Sequence, residues 1–251
     1  MARTLPSSSA LTVDPVLRRL TAAVALSEAD IQVIRRLAER RFRHRSGDEI
    51  YAEGDTARRP RFVISGWASA QRVLADGRRQ ILGFALPGDG LGLYPRMAPP
   101  VLNSVFATTA LETVDAQPVL DLVRSGESPG LLRAFAAAAR AEDALLLDSV
   151  VRLGRQTAYE RVAHFLLEIH DRLALAGLSD SQHFPLPLTQ EILGDALGLS
   201  IVHVNRTLQQ LRRDKLIEWR SGVAVLLQRD LLVRIADYRS SVRSAPPIAA
   251  S

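Results

Sequence analysis

The sequence predicts an α+β protein: an antiparallel β barrel or sandwich, then a long helix, then a winged helix-turn-helix. Turn signals recur at short intervals between residues 46 and 89. One apolar stripe at helical spacing runs along residues 129–153. Residues 188–219, LTQEILGDALGLSIVHVNRTLQQLRRDKLIEW, read as two helices joined by a tight turn and followed by a strand.

In chain order, residues 1–15 are expected to be a disordered tail, small and polar with Pro6 and three serines. A short helix is expected within residues 15–20. A better one opens at Ser27, where Asp30 completes a capping-box-like start and Ile31, Ile34 and Leu37 follow at helical spacing. From Arg41 the period becomes that of strands, with runs at 61–64, 67–74, 79–85, 104–107 and 112–116. The intervening turns include Ser46-Gly47-Asp48, Glu53-Gly54-Asp55, Ser65-Gly66 and Pro87-Gly88-Asp89, and Asp76-Gly77 is the strongest hairpin signal. The long helix starts after Ser128. Leu132, Phe135, Ala139, Leu146, Val150 and Leu153 form its stripe, interrupted by Asp143. That stripe is expected to be a dimer seam; the alternative is a helix packed only on its own barrel. Gly154 is read as a hinge before a helix over 159–175.

In the helix-turn-helix, Thr189 and Ser200 are N-caps and Gly198 suits a left-handed turn. Gly194 is small where the helices cross. Val204, Leu208 and Leu211 face inward, leaving Val202, His203, Arg206, Gln209 and Gln210 outside. A polar row with a central Arg on a held helix is what major-groove reading needs. Thr189 and Ser200 are expected phosphate contacts at helix N-termini. Arg212, Arg213, Lys215 and Arg220 either hold the DNA backbone or form a solvated helix end. A two-stranded wing (216–219 and 223–227) and a last helix (229–242) follow, and 244–251 is a tail.

Composition excludes several classes. The chain has 251 residues, 47% hydrophobic, with a net charge of +5, which suits a polyanion partner. Without cysteine it has no disulfide, thiol nucleophile or Cys-ligated metal or iron–sulfur site. No apolar run reaches membrane-spanning length and the start lacks a secretory pattern, so a cytoplasmic protein without membrane contact is expected. His164, His170, His183 and His203 lack metal-ligand spacing. Gly88 to Gly92 (GDGLG) follows a strand but opens no helix, and no catalytic motif is present, so no enzyme is expected.

The order of elements resembles the CRP/FNR family of bacterial transcription regulators over about residues 16–240. The resemblance is carried by Ser46-Gly47-Asp48-Glu49-Ile50, Glu53-Gly54-Asp55, Phe62-Val63-Ile64-Ser65-Gly66, Leu86-Pro87-Gly88-Asp89 and the helix-turn-helix. It implies a jelly-roll, cyclic-nucleotide-binding-like sensor domain (16–125), a dimerisation helix (126–153) and a DNA-binding winged helix (154–243). It also implies a homodimer on a palindromic promoter site in double-stranded DNA, with RNA polymerase as a further candidate partner. Matched to the family's reading positions, Arg206 is the guanine-reading Arg, and Val202 stands where many members have Glu. Val202, His203, Asn205 and Arg206 are the expected base readers. The effector positions fall on Gly88, Asp89, Gly92, Leu93, Asn103 and Ser104. Members that bind cyclic nucleotides have Gly-Glu and Arg-Ser where this chain has Gly92-Leu93 and Asn103-Ser104. Leu93 cannot hydrogen-bond a ribose and Asn103 brings no charge to a phosphate, so no cyclic nucleotide is expected. Arg96 is a nearby cation that could substitute, but Pro95, Pro99 and Pro100 around it suggest a remodelled loop. A haem would need an axial ligand, and the lone His44 in a basic stretch does not supply a persuasive one. The alternative function is an interaction module whose helix-turn-helix no longer reads DNA.

Overall fold

A computed structural model describes residues 13–56, 59–93 and 100–240. Helix α1 (Asp14–Thr21) carries Pro15 in its first turn, where no amide partner is lost. Asp14 and Pro15, expected in the tail, are therefore helical, and Val13 is buried. Helix α2 (Glu28–Arg36) has the expected capping box between Ser27 and Asp30.

Eight strands follow: β1 (Arg41–His44), β2 (Glu49–Tyr51), β3 (Arg61–Ser65), β4 (Ala68–Val73), β5 (Arg79–Ala85), β6 (Gly90–Leu91), β7 (Ser104–Ala107) and β8 (Leu111–Asp115). They form two antiparallel sheets, ordered β1-β8-β3-β6 and β2-β7-β4-β5, which is jelly-roll topology. Strand β3 is buried on both faces, which explains its unbroken apolar run. Val63 joins the core between the sheets, while Phe62 and Ile64 meet the N-terminal helices. Gly66 turns β3 into β4 at φ +75°; a Cβ there would lie 2.0 Å from the Ala110 carbonyl oxygen, so only glycine fits.

Helix α3 (Gln117–Ser125) leads to α4 (Pro129–Arg155), capped by Ser128. Phe135, expected in the dimer seam, instead points into its own protomer. It is 6% exposed and its ring meets Phe62 edge-on at 6.3 Å. Leu132, Ala139, Leu146 and Val150 are exposed as expected, joined by Leu147 and Val151; Leu153 is half-buried. Gly154 is no hinge. The helix runs through it, and the chain breaks at Gln156-Thr157, where Thr157 and Glu160 form a capping box for α5 (Ala158–Leu175).

The C-terminal domain comprises β9 (His183–Pro185), α6 (Gln190–Leu197), α7 (Ile201–Arg213), β10 (Ile217–Arg220), β11 (Val223–Leu226) and α8 (Arg229–Ala236). The wing has three strands rather than two, because β9 pairs with β11. Ser221 and Gly222 both take positive φ, the geometry of a tight two-residue hairpin. Helix α8 stops at Ala236, where Asp237 turns left-handed. Residues 241 and 242 of the longer helix expected there lie outside the described residues, as do 1–12, 244–251 and Arg96. Trp67, Ile81, Phe84 and Leu86 of the barrel share one apolar core with α5 and the winged helix. That continuity fixes the helix-turn-helix end against the barrel.

Candidate nucleic-acid interface and barrel cavity

The helix-turn-helix is built by local chemistry. The Thr189 hydroxyl accepts from the Ile192 amide at 3.2 Å, and the Ser200 hydroxyl accepts from the His203 amide at 3.3 Å. Each hydroxyl keeps its own proton to donate. Gly198 takes φ +63° in the turn. A Cβ on Gly194 would lie 2.6 Å from the Leu199 carbonyl oxygen, so the close crossing requires glycine. Val204, Leu208 and Leu211 are fully buried beneath α7.

The opposite face of α7 is exposed and presents Val202, His203, Arg206, Gln209 and Gln210. Asn205 departs from expectation. It is half-buried, its amide donates to Gln190 Oε1 at 3.1 Å, and its carbonyl accepts from Gln209 Nε2 at 2.8 Å. Nothing in the residue types announced this tie, which depends on where α6 crosses α7. Arg212, read either as a DNA-backbone contact or as part of a solvated helix end, donates to the Trp219 carbonyl at 3.1 Å and braces the wing. Arg213, Lys215 and Arg220 are exposed.

Beneath this surface lies an ionic network that the sequence did not announce. Buried Arg172 of α5 donates to the Phe84 carbonyl and to Asp89, both at 2.6 Å, and pairs with Glu168 at 3.4 Å. Glu168 also binds Arg152 of α4 at 2.7 Å, and Arg152 meets His164 Nδ1 at 3.3 Å. Burial opposes ionisation of Glu168, but Arg152 and Arg172 outweigh it and hold its carboxyl below the usual range. Burial, with Arg152 beside it, lowers the pKa of His164. Asp89 also accepts from the Leu86 amide and pairs with Arg19 of α1 at 3.4 Å. It is thus a structural anchor between barrel, α1 and α5.

A cavity of about 430 Å³ opens between β5, α4 and α5, with Ile81, Phe84, Leu145 and Val150 among its apolar walls and Ser149, Arg152 and Arg172 among its polar ones. Of the six expected effector positions only Asp89 lines it. Gly88 packs on α1, where a Cβ would lie 2.6 Å from the Pro15 carbonyl oxygen. Gly92 is a left-handed turn residue, Leu93 packs against the core of the N-terminal helices, and Asn103 is half-buried. The Ser104 hydroxyl accepts from the Glu53 amide at 3.1 Å.

Residues 41–117 match the cyclic nucleotide-binding domain and residues 160–235 match the Crp-like helix-turn-helix domain. The nitrogen fixation regulation protein FixK of Bradyrhizobium diazoefficiens is 36% identical over 207 residues, spanning 80% of this chain and 83% of that protein. The chain belongs to the CRP/FNR family of transcription regulators. The transcriptional activatory protein AadR of Rhodopseudomonas palustris is 34% identical over 201 residues, spanning 80% and 82% of the two chains. The structure of FixK2 from Bradyrhizobium japonicum matches with a TM-score of 0.69 at 30% identity, covering 80% of this chain and 98% of that one. As a CRP/FNR regulator the protein is a DNA-binding transcription regulator and not an enzyme. Among its described residues no helix is long and apolar enough to cross a membrane.

Proposed function

We propose that this CRP/FNR regulator binds a palindromic promoter site as a cytoplasmic homodimer, with α7 in the major groove. The observation that carries this reading is the exposed face of α7, where Val202, His203 and Arg206 are exposed to solvent. Arg206 offers two parallel donors to guanine O6 and N7, Val202 offers an apolar contact to a thymine methyl, and His203 reaches a base or a phosphate. Thr189 and Ser200 contact phosphates from helix N-termini, and Arg213, Lys215 and Arg220 hold the backbone near the wing. Dimerisation through α4 is supported by Leu132, Leu146, Leu147, Val150 and Val151, large apolar side chains left exposed on one protomer. RNA polymerase is the further partner, by analogy with AadR, a transcriptional activatory protein.

No cyclic nucleotide is assigned to the barrel. Leu93 packs into protein and Asn103 carries no charge for a phosphate. The sequence has no cysteine for a cluster. Haem is not assigned either: the His44 ring is engaged with Thr113 Oγ1 at 3.3 Å.

Selection from randomised duplexes, followed by footprinting, tests this reading. An inverted repeat with half-site centres about one turn (~34 Å) apart is expected. Protection of a single half-site by one protomer would contradict it.

A further inference from the structure

We propose that Gln209 reads an adenine and that Asn205 and Gln190 are the positioning residues that aim it. The proposal rests on α7 entering the major groove, as argued above. Val202, Asn205, Arg206 and Gln209 lie at i, i+3, i+4 and i+7, one stripe of the helix. Within that stripe Asn205 is withdrawn, half-buried, with both ends of its amide engaged by protein. Gln209 is exposed one turn beyond Arg206.

The bond directions decide the roles. Gln190 occupies the first turn of α6, far from the Gly198 turn, and its Oε1 accepts from Asn205 Nδ2 at 3.1 Å. That contact fixes the Asn205 amide with its carbonyl turned toward Gln209, whose Nε2 donates to it at 2.8 Å. An amide nitrogen carries two protons. With one given to Asn205, Gln209 keeps one N–H beside its own carbonyl oxygen. That donor–acceptor edge is complementary to adenine N7 and N6–H₂. The relay also removes rotamer freedom from a long side chain before DNA arrives, so less is lost on binding. Gly194 and Val204 set the helix crossing near the turn, and the Gln190–Asn205 contact ties its other end.

The test is fluorescence anisotropy of the full-length protein on its selected site and on duplexes changed at one base-pair position at a time. Gln209→Ala should lose discrimination for A·T at one position of each half-site by roughly 10- to 100-fold. Asn205→Ala and Gln190→Ala should weaken discrimination at that same position and leave the others unchanged. The double variant should be no worse than the stronger single one, because the residues act as one relay. Asn205→Asp keeps the acceptor for Gln209 and should retain more discrimination than Asn205→Ala. Two results would overturn the proposal: unchanged preferences in Gln209→Ala, or a preference in Asn205→Ala altered at a different base pair, which would make Asn205 a direct reader. A wild-type protein without any base preference would overturn the groove-reading model along with it.

Discussion

Arg79 of β5 and Asp195 of α6 form an ion pair in which two guanidinium nitrogens, 2.6 and 2.8 Å away, converge on one carboxylate oxygen. Gln80 adds a hydrogen bond to the Asp195 carbonyl at 2.8 Å. One barrel strand thereby grips the first helix of the helix-turn-helix, and Gln80 and Ala196, on its two sides, both border the cavity. Because the pair is partly exposed, Arg79→Ala and Asp195→Ala should each cost only about 0.2–1 kcal/mol. A double-mutant cycle in thermal unfolding should show that the two losses overlap. Amide exchange in α6 should quicken in either variant, while α8 stays protected.

The buried network predicts a larger effect. Arg172→Ala leaves Asp89 without its 2.6 Å partner and removes one of the two cations on Glu168. Breaking such a pair from one side costs about 3–5 kcal/mol. Denaturant unfolding should show that loss, and Arg172→Met, which preserves the packing of the stem, should still be strongly destabilised.

Much of this architecture was legible in residue patterns. Ser27 with Asp30, Asp76-Gly77, Gly198 and Ser200 each encode a cap or turn through local chemistry, and each stands where its pattern places it. Failures came where the partner is distant in sequence. Phe135 fits a seam by spacing, but Phe62 claims it for the barrel. The continuation of α4 through Gly154 shows that a lone glycine costs a helix too little to end it when no strain is present. His183 to Pro185 is too short to show alternation and becomes a strand only by pairing with β11. The roles of Asp89, Arg172 and Asn205 depend on tertiary contacts that spacing does not encode.

The exposed apolar side of α4 makes a prediction about assembly. Leu146→Asp or Val150→Asp should shift sedimentation from dimer to monomer. Helical content should be kept, because both side chains are more than half exposed in a single protomer. A dimer that survives the double substitution would place the seam elsewhere.

Acid should loosen the α4–α5 junction. Burial, and then Arg152, hold the pKa of His164 below its ordinary 6.5. Between those two pKa values the unfolded chain binds a proton that the folded chain refuses, so this contribution is complete above the ordinary value and is lost as pH falls below it. Glu168, whose pKa is lowered from 4.5, adds a second loss at lower pH. The melting temperature should therefore drop from about pH 7.5 to pH 5. His164→Gln, which retains an acceptor for Arg152, should flatten that part of the profile.

The proposed reader of DNA is the exposed face of α7. Its most direct measurement compares wild type with Arg206→Ala on the selected site and on scrambled DNA at one salt concentration. The expected result is a specific affinity about 10- to 100-fold weaker, with much smaller change on scrambled DNA and relaxed preference at one G·C pair. Equal binding of the selected site by both proteins would contradict the account.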